Sequence, residues 1–232
     1  MLLKYLEGEK QTQNCVSIIQ KIKEMEFAIA KMVQQDEKNI LSKLKPENTA
    51  ISRKTITAPL RKALKHVDFK GKKGLDFGCG RSVDAAYLND HGAHCFRYDP
   101  NFASIKTHYT SRQEGSQKNW QLDPNQNISS FDFVLVIYVL NVVPRDFRTL
   151  IAKTAQSLLK NPDGFIVLGV RDDFSAIQPS WEEYSDGFIT SSNTFQSFFK
   201  NNKSGRRRIE ALFPKMQAHS LGRGGWLLSY PQ

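Results

Sequence analysis

The run from Gly74 to Phe102, GLDFGCGRSVDAAYLNDHGAHCFRYDPNF, constrains this chain more than any other segment. A short apolar strand closes on Leu75-Asp76-Phe77 and enters a glycine-rich turn. A helix begins over Asp84 to Leu88, and a second strand follows, with Asp99 at its tip. Gly78 and Gly80 let the backbone turn tightly and approach a ligand with no side chain in the way. A carboxylate at the end of the second strand is placed to accept both hydrogens of a ribose diol. The whole predicts a nucleoside-cofactor site. A nicotinamide or flavin fingerprint puts a third glycine where this chain has Val83, and no P-loop lysine follows Gly80, so dinucleotide and triphosphate binding are both disfavoured.

Three segments carry a resemblance. DFGCG at Asp76 to Gly80, YDPN at Tyr98 to Asn101 and DFVLVIYVLNVVP at Asp132 to Pro144 resemble the first motif, the second motif and the fourth strand with its turn in class I S-adenosylmethionine-dependent methyltransferases. The resemblance spans residues 50–230. It implies that Asp76 and the backbone at Gly78, Cys79 and Gly80 hold the amino-acid end of S-adenosylmethionine. Asp99, with Pro100 beside it, would hold the ribose hydroxyls, Asp123 would face the adenine, and Tyr138 would reach the cofactor from the fourth strand. Asp123 lies in a polar stretch, Gln121 to Ser130, where a surface turn is the competing reading. Cys79 has no histidine or lysine nearby in sequence to lower its pKa, so a small loop filler is preferred to a nucleophile.

A narrower resemblance lies in ISRKTITAPLRKAL, Ile51 to Leu64, together with YDPNF and IYVLNVVP. These are similar to a little-characterised bacterial and phage group of methyltransferases, some associated with DNA phosphorothioation. The match reaches Asp186 to Thr190 and the region of Phe195, and the long additional regions of the phosphorothioation-associated proteins are missing here.

The remaining pattern predicts an α/β fold: a doubly wound, mostly parallel sheet, seven-stranded and Rossmann-like by the resemblance, with an N-terminal helical extension. Residues 1–50 form that extension and its linker, and 51–232 the methyltransferase domain. From Cys15 to Leu44, Ile18, Ile22, Met25, Ile29, Met32 and Val33 recur at helical intervals. Such a stripe packs more often on its own domain than on a partner; a lid or a dimer contact are the alternatives. Pro46 ends the pattern, Glu47 to Ser52 reads as a linker, and Thr57 to His66 as a helix with Pro59 in its first turn.

Asp132 to Leu140 is a buried central strand, Asp146 to Leu159 a helix and Phe165 to Val170 a further strand. Thr190 or Ser192 caps an expected helix through Phe195, Phe198 and Phe199, and Arg206 to Phe213 forms another. Met216 to Ser220 and Trp226 to Tyr230 are expected to pair as antiparallel strands. Gly222, Gly224 and Gly225 read as turn formers between them, with Arg223 leaving a phosphate loop as the alternative.

A formal charge of +10 favours an anionic macromolecule as partner. Arg53, Lys54, Arg61, Lys62, Lys65, Lys70, Lys72 and Lys73 precede the first cofactor motif against Asp68 alone, and Arg206, Arg207 and Arg208, flanked by Lys200 and Lys203, form a second cluster. The expected function is therefore methyl transfer to DNA or RNA held at these clusters. A small-molecule methyltransferase, whose clusters are simply solvated, is the first alternative; a noncatalytic nucleic-acid-binding protein is the second.

The turn after the fourth strand holds Ile137 to Pro144 in place of an Asp/Asn-Pro-Pro-aromatic motif, which disfavours exocyclic base amines, and no Pro-Cys pair supports carbon-5 cytosine chemistry. Ring nitrogens, ribose hydroxyls, backbone phosphate or sulfur, and small polar acceptors remain. Direct in-line transfer needs no metal, because alignment of an already activated methyl group supplies much of the rate. Asn141, Tyr138 and Asp172 are the candidate catalytic residues, with Asp173 and His108 to inspect beside them and Arg171 and Trp181 as a substrate rim. Cys15, Cys79 and Cys95 lack metal-ligand spacing and read as reduced thiols. No apolar run approaches a membrane span and no secretory signal opens the chain, so a cytoplasmic location is expected.

Overall fold

Residues 20–36, 40–50, 53–81, 83–100, 130–160 and 162–231 are described by a computed structural model. Its centre is set by three five-residue strands, β1 (Lys73–Phe77), β3 (Phe133–Ile137) and β4 (Phe165–Gly169), with every residue of β3 and β4 buried. Runs such as Phe-Val-Leu-Val-Ile have no polar side chain to offer water on either face, so they are stable only with helices on both sides.

The six-stranded sheet has the order β2-β1-β3-β4-β9-β8, where β2 is His94–Tyr98, β8 Gln217–Gly222 and β9 Gly225–Ser229. The first four strands are parallel and the last two antiparallel. Alternate residues divide the core. Val134 and Val136 pack with a helix over residues 20–34, α4 (Arg145–Ser157) and α5 (Lys203–Leu212). Phe133, Leu135 and Ile137 pack with α2 (Ala58–Ala63) and α3 (Val83–Asp90). The expected doubly wound, mostly parallel fold with its helical extension is thus the observed one, with six strands in its main sheet among the described residues where seven were expected. Residues 101–129, between β2 and β3, lie outside the described residues, and with them Asp123 and His108.

The expected helix through Phe195, Phe198 and Phe199 is not formed. Phe195–Gln196 is instead strand β7 of a separate antiparallel sheet, ordered β5-β6-β7, with β5 over Glu182–Tyr184 and β6 over Gly187–Ile189. Thr190 uses its capping chemistry on a turn: its Oγ1 accepts from Thr194 N at 3.2 Å, and Asn193 reverses the chain at φ +56°. The same local hydrogen bond serves a helix start or a tight turn, and here the hairpin wins.

This small sheet is anchored by Arg148 of α4, whose side chain is 1% exposed. Its guanidinium donates to both oxygens of Asp186, at 2.6 and 3.0 Å, and to Val143 O and Ser197 Oγ, each at 3.0 Å. Ser197 N in turn donates to Asn141 O at 2.7 Å. The loop leaving β3 is therefore held from behind by a buried cation.

Candidate active site

The sheet order reverses direction at β1, between β2 and β3, and ligands of such sheets collect at the carboxyl ends of the strands beside the switch. A cavity of about 350 Å³ opens there. Its floor is the glycine turn. Gly78 lies at φ +72°, and a Cβ on it would come within 2.5 Å of Val139 Cγ2, so only glycine fits that position. Gly78 N and Cys79 N both donate to Tyr98 O, at 2.8 and 3.1 Å, and Gly80 N donates to Asp99 Oδ2 at 2.9 Å. The turn after β1 is stitched onto the end of β2, bringing Asp76, Gly78, Cys79, Gly80, Asp99 and Pro100 to one cavity.

Asp76 is only 5% exposed. Burial pushes its carboxyl well above the usual range, the charges of Asp84 and Asp99 push the same way, and the N–H of Ala85 and the charge of Arg97 pull back. Asp84, in the first turn of α3, is also raised by burial, against two hydrogen bonds from Thr57. Thr57 caps α2 as well, accepting from Leu60 N through Oγ1 at 3.4 Å.

Met25, Ile29 and Val33 of the helix over residues 20–34 form an apolar roof, joined by Leu41, Leu44 and Pro46. Tyr98 donates its hydroxyl to Glu26, and Lys21 Nζ donates to Ser157 O at 3.0 Å. Burial, and then the Glu26 carboxylate, raise the Tyr98 phenol. The helical stripe thus packs on its own domain, and does so over the cavity.

A second chamber of about 640 Å³ lies beyond the ends of β3 and β4. Tyr138, directly after β3, stands at φ +61°, a left-handed conformation that costs a tyrosine of order 1–3 kcal/mol and clusters at functional sites. Its N–H donates to Gly169 O at 2.7 Å, and the Arg53 guanidinium lies 5.0 Å from its ring centre. Burial raises the phenol; Arg53 opposes that, Asp84 and Asp172 add to it, and Arg171 opposes it weakly. Asn141 is 1% exposed and its Oδ1 has no hydrogen-bond partner among the described residues. Asn141, Asp172, Asp173 and Arg171 line this chamber with Tyr138. Trp181 lines neither cavity and packs against Phe188, with ring centres 6.4 Å apart. Among the described residues no group of acidic, histidine or cysteine side chains is arranged for a metal.

Thr57, Asp84 and the roof residues are the participants that motif reading misses. Thr57 before Ala58-Pro59 carries a helix-start signature, but nothing local connects it to Asp84, 27 residues away.

The basic residues divide. Arg53 and Lys54 line the second chamber. Arg61 Nη2 donates to Ile56 O at 3.1 Å and Lys62 Nζ to Gly222 O at 2.6 Å. Arg206 pairs with Glu210 at 2.9 Å, while Arg208 pairs with Asp186, donates to Phe198 O and lies 4.2 Å from the Phe199 ring centre. Arg207 is exposed. The triplet does not present one cationic face, because helical spacing turns Arg208 inward.

A methyltransferase-domain family matches residues 50–212. No curated protein sequence matches the chain. Among solved structures it is similar to the PH0226 protein of Pyrococcus horikoshii OT3, at 17% identity over 75% of this chain and 88% of that one, with a TM-score of 0.54. It is also similar to a DhpI–SAM–HEP complex, at 14% identity over 75% and 84% of the two chains and a TM-score of 0.50. A third is the Burkholderia thailandensis 1,6-didemethyltoxoflavin-N1-methyltransferase with bound 1,6-didemethyltoxoflavin and S-adenosylhomocysteine, at 14% identity over 92% and 90%, with a TM-score of 0.48.

The expectation of a nucleic-acid acceptor is corrected on these findings. A similar structure at a TM-score of 0.50 is described with HEP beside SAM, and here Lys62, Arg206 and Arg208, expected to hold a polynucleotide, are engaged within the fold. With its family matched over most of its length and its glycine turn built for a nucleoside cofactor, the chain belongs to the methyltransferase-domain family and is an S-adenosylmethionine-dependent methyltransferase.

Proposed function

We propose that this enzyme methylates a small polar molecule held in the chamber beyond β3 and β4. The observation that carries the reading is a shared wall: Arg53, Thr57, Tyr138 and Val142 line both that chamber and the cavity at the glycine turn. A chamber of a few hundred Å³ on which polar side chains converge suits a small polar ligand.

The cavity residues fit the cofactor. A buried carboxyl crowded by two acidic neighbours gains from a cation, so Asp76 is assigned to the cofactor's ammonium group. Asp99 is assigned to the ribose hydroxyls, the backbone at Gly78, Cys79 and Gly80 to close contact, and Pro100 to the wall beside them. S-adenosylmethionine, when bound, supplies a methyl group already activated on a sulfonium. Met25, Ile29 and Val33 exclude water above it. Tyr138, kept protonated by its surroundings, orients the acceptor as a hydrogen-bond donor, and the buried amide of Asn141 fixes a second polar contact. Where the acceptor atom carries a proton, the carboxylate of Asp172 would take it, while the electron pair of the broken methyl–sulfur bond would leave with S-adenosylhomocysteine.

The division into an extension over residues 1–50 and a catalytic domain over 51–232 belongs to the same proposal, with the extension serving as the roof. The narrower kinship with the bacterial and phage group rests on the Ile51 to Leu64 segment. A cytoplasmic location belongs to the same proposal.

The test is transfer of radiolabelled methyl from S-adenosylmethionine into separate pools of small-molecule extract, RNA and DNA, with D99A protein as control. Label in the small-molecule pool supports the reading. Label confined to RNA or DNA overturns it.

A further inference from the structure

The second chamber is unusually cationic for its size. Arg53, Lys54, Arg171 and Arg223 line it against Asp172 and Asp173. None of the four cations is in an ion pair with a carboxylate among the described residues, although two carboxylates share the chamber. Asp173 is occupied locally, accepting from Ser175 Oγ at 2.5 Å.

Arg223 is brought there by the hairpin between β8 and β9. Val170 N donates to Gly224 O at 2.8 Å and Lys62 Nζ grips Gly222 O. A Cβ at Gly224 would lie 2.0 Å from Val170 O, so the turn sits flush on the end of β4 only because that residue is glycine. Arg223 itself is held at φ +30°. Arg171, following β4, is steadied by Gln196 Oε1 at 3.3 Å and by the Phe198 ring at 5.3 Å. The Arg171 guanidinium is thus placed by packing and a hydrogen bond, and the backbone that carries Arg223 is clamped, which reduces the ordering cost of gripping a ligand. Beside them is the Oδ1 of Asn141, a buried polar atom with no hydrogen-bond partner among the described residues.

We propose that the methyl acceptor carries a carboxylate or phosphate group, bound by Arg171 and Arg223 with Arg53 and Lys54 adding attraction. The proposal rests on the assignment of this chamber to the acceptor. An excess of cations over carboxylates in a partly enclosed site raises the local concentration of anions, and guanidiniums bind oxyanions through forked hydrogen bonds. The Leu221 to Gly225 turn then has a role its glycines alone do not explain: it presents a cation.

The test uses three-carbon probes titrated into the full chain by ligand-observed NMR at fixed ionic strength, with and without S-adenosylhomocysteine. Glycerol 3-phosphate carries the phosphate, glycerate the carboxylate, and glycerol is the neutral control. One of the two anions should bind saturably and glycerol should not, and whichever binds names the group. Affinity should fall about 10-fold or more in R171Q and in R223Q, and stay unchanged in R206Q on the far helix. Absence of saturable binding by either anion, equal binding of glycerol, or affinity unmoved in both R171Q and R223Q would overturn the proposal. A protein that binds an anion with this arginine dependence but fails to bind S-adenosylhomocysteine would strike the cofactor assignment and leave the anion site standing.

Discussion

Asp84 accepts both the backbone N–H and the hydroxyl of Thr57, at 2.8 and 2.7 Å. The pair ties the first turn of α3 to the cap of α2 behind the wall common to both chambers. The Asp84 charge is felt by Asp76 on one side and Tyr138 on the other. A single buried brace therefore sets the position of two helices and the electrostatics of two cavities.

Thr57→Val should destabilise the protein by about 1–3 kcal/mol, since it uncaps α2 and leaves one Asp84 oxygen buried without its donor. Thr57→Ser should restore most of the loss. Urea unfolding of both variants measures this, and a T57V midpoint equal to wild type would show that the brace contributes nothing.

Asp76 has a folded pKa raised chiefly by burial, so its stabilising contribution is complete below the ordinary carboxyl value and is lost as pH rises through the raised one. D76N removes that loss. The unliganded variant should match wild type near about pH 4 and grow progressively more thermostable than it toward about pH 8. Its affinity for S-adenosylmethionine should fall. Melting curves across pH, paired with cofactor titrations, separate the two effects.

Asp99→Asn keeps an oxygen for Gly80 N but replaces the second acceptor with a donor. S-adenosylhomocysteine affinity should drop about 10-fold or more by calorimetry, with little change in unliganded Tm.

Tyr98→Phe removes the hydroxyl that reaches Glu26 and fastens the roof helix over residues 20–34. Amide exchange in that helix should accelerate, and S-adenosylhomocysteine should dissociate about 3- to 10-fold faster. Unchanged exchange there would mean that apolar packing alone holds the roof.

Arg148→Met leaves Asp186 with one partner and strips Val143 O and Ser197 Oγ of theirs. Breaking a buried pair in this way costs about 3–5 kcal/mol. Burial pushes the Asp186 carboxyl up, but Arg148 and Arg208 together hold it below its ordinary value. The stability it contributes is present above that ordinary value and lost as pH falls through the lower one, so R148M should flatten the acid limb of the stability curve.

The parallel strands are legible in the sequence because apolar runs like Phe133 to Ile137 have no amphipathic alternative, and the glycine turn is legible because positive φ leaves its mark on composition. The three-stranded sheet is not, since strands as short as Phe195–Gln196 offer no period to detect. Neither is the Thr57–Asp84 brace, which joins segments only the fold brings together. The Arg206 to Arg208 run misleads for a related reason: consecutive charges look like one patch, while helical geometry sends Arg206 to Glu210 and Arg208 to Asp186.

Tyr138 belongs to the walls of both chambers and already bears an unfavourable backbone conformation. A lineage altering this side chain to reshape one chamber would at the same time reshape the other. Diversification should therefore proceed first through residues that touch the second chamber alone, such as Arg171 and Arg223, with the tyrosine changing late or never.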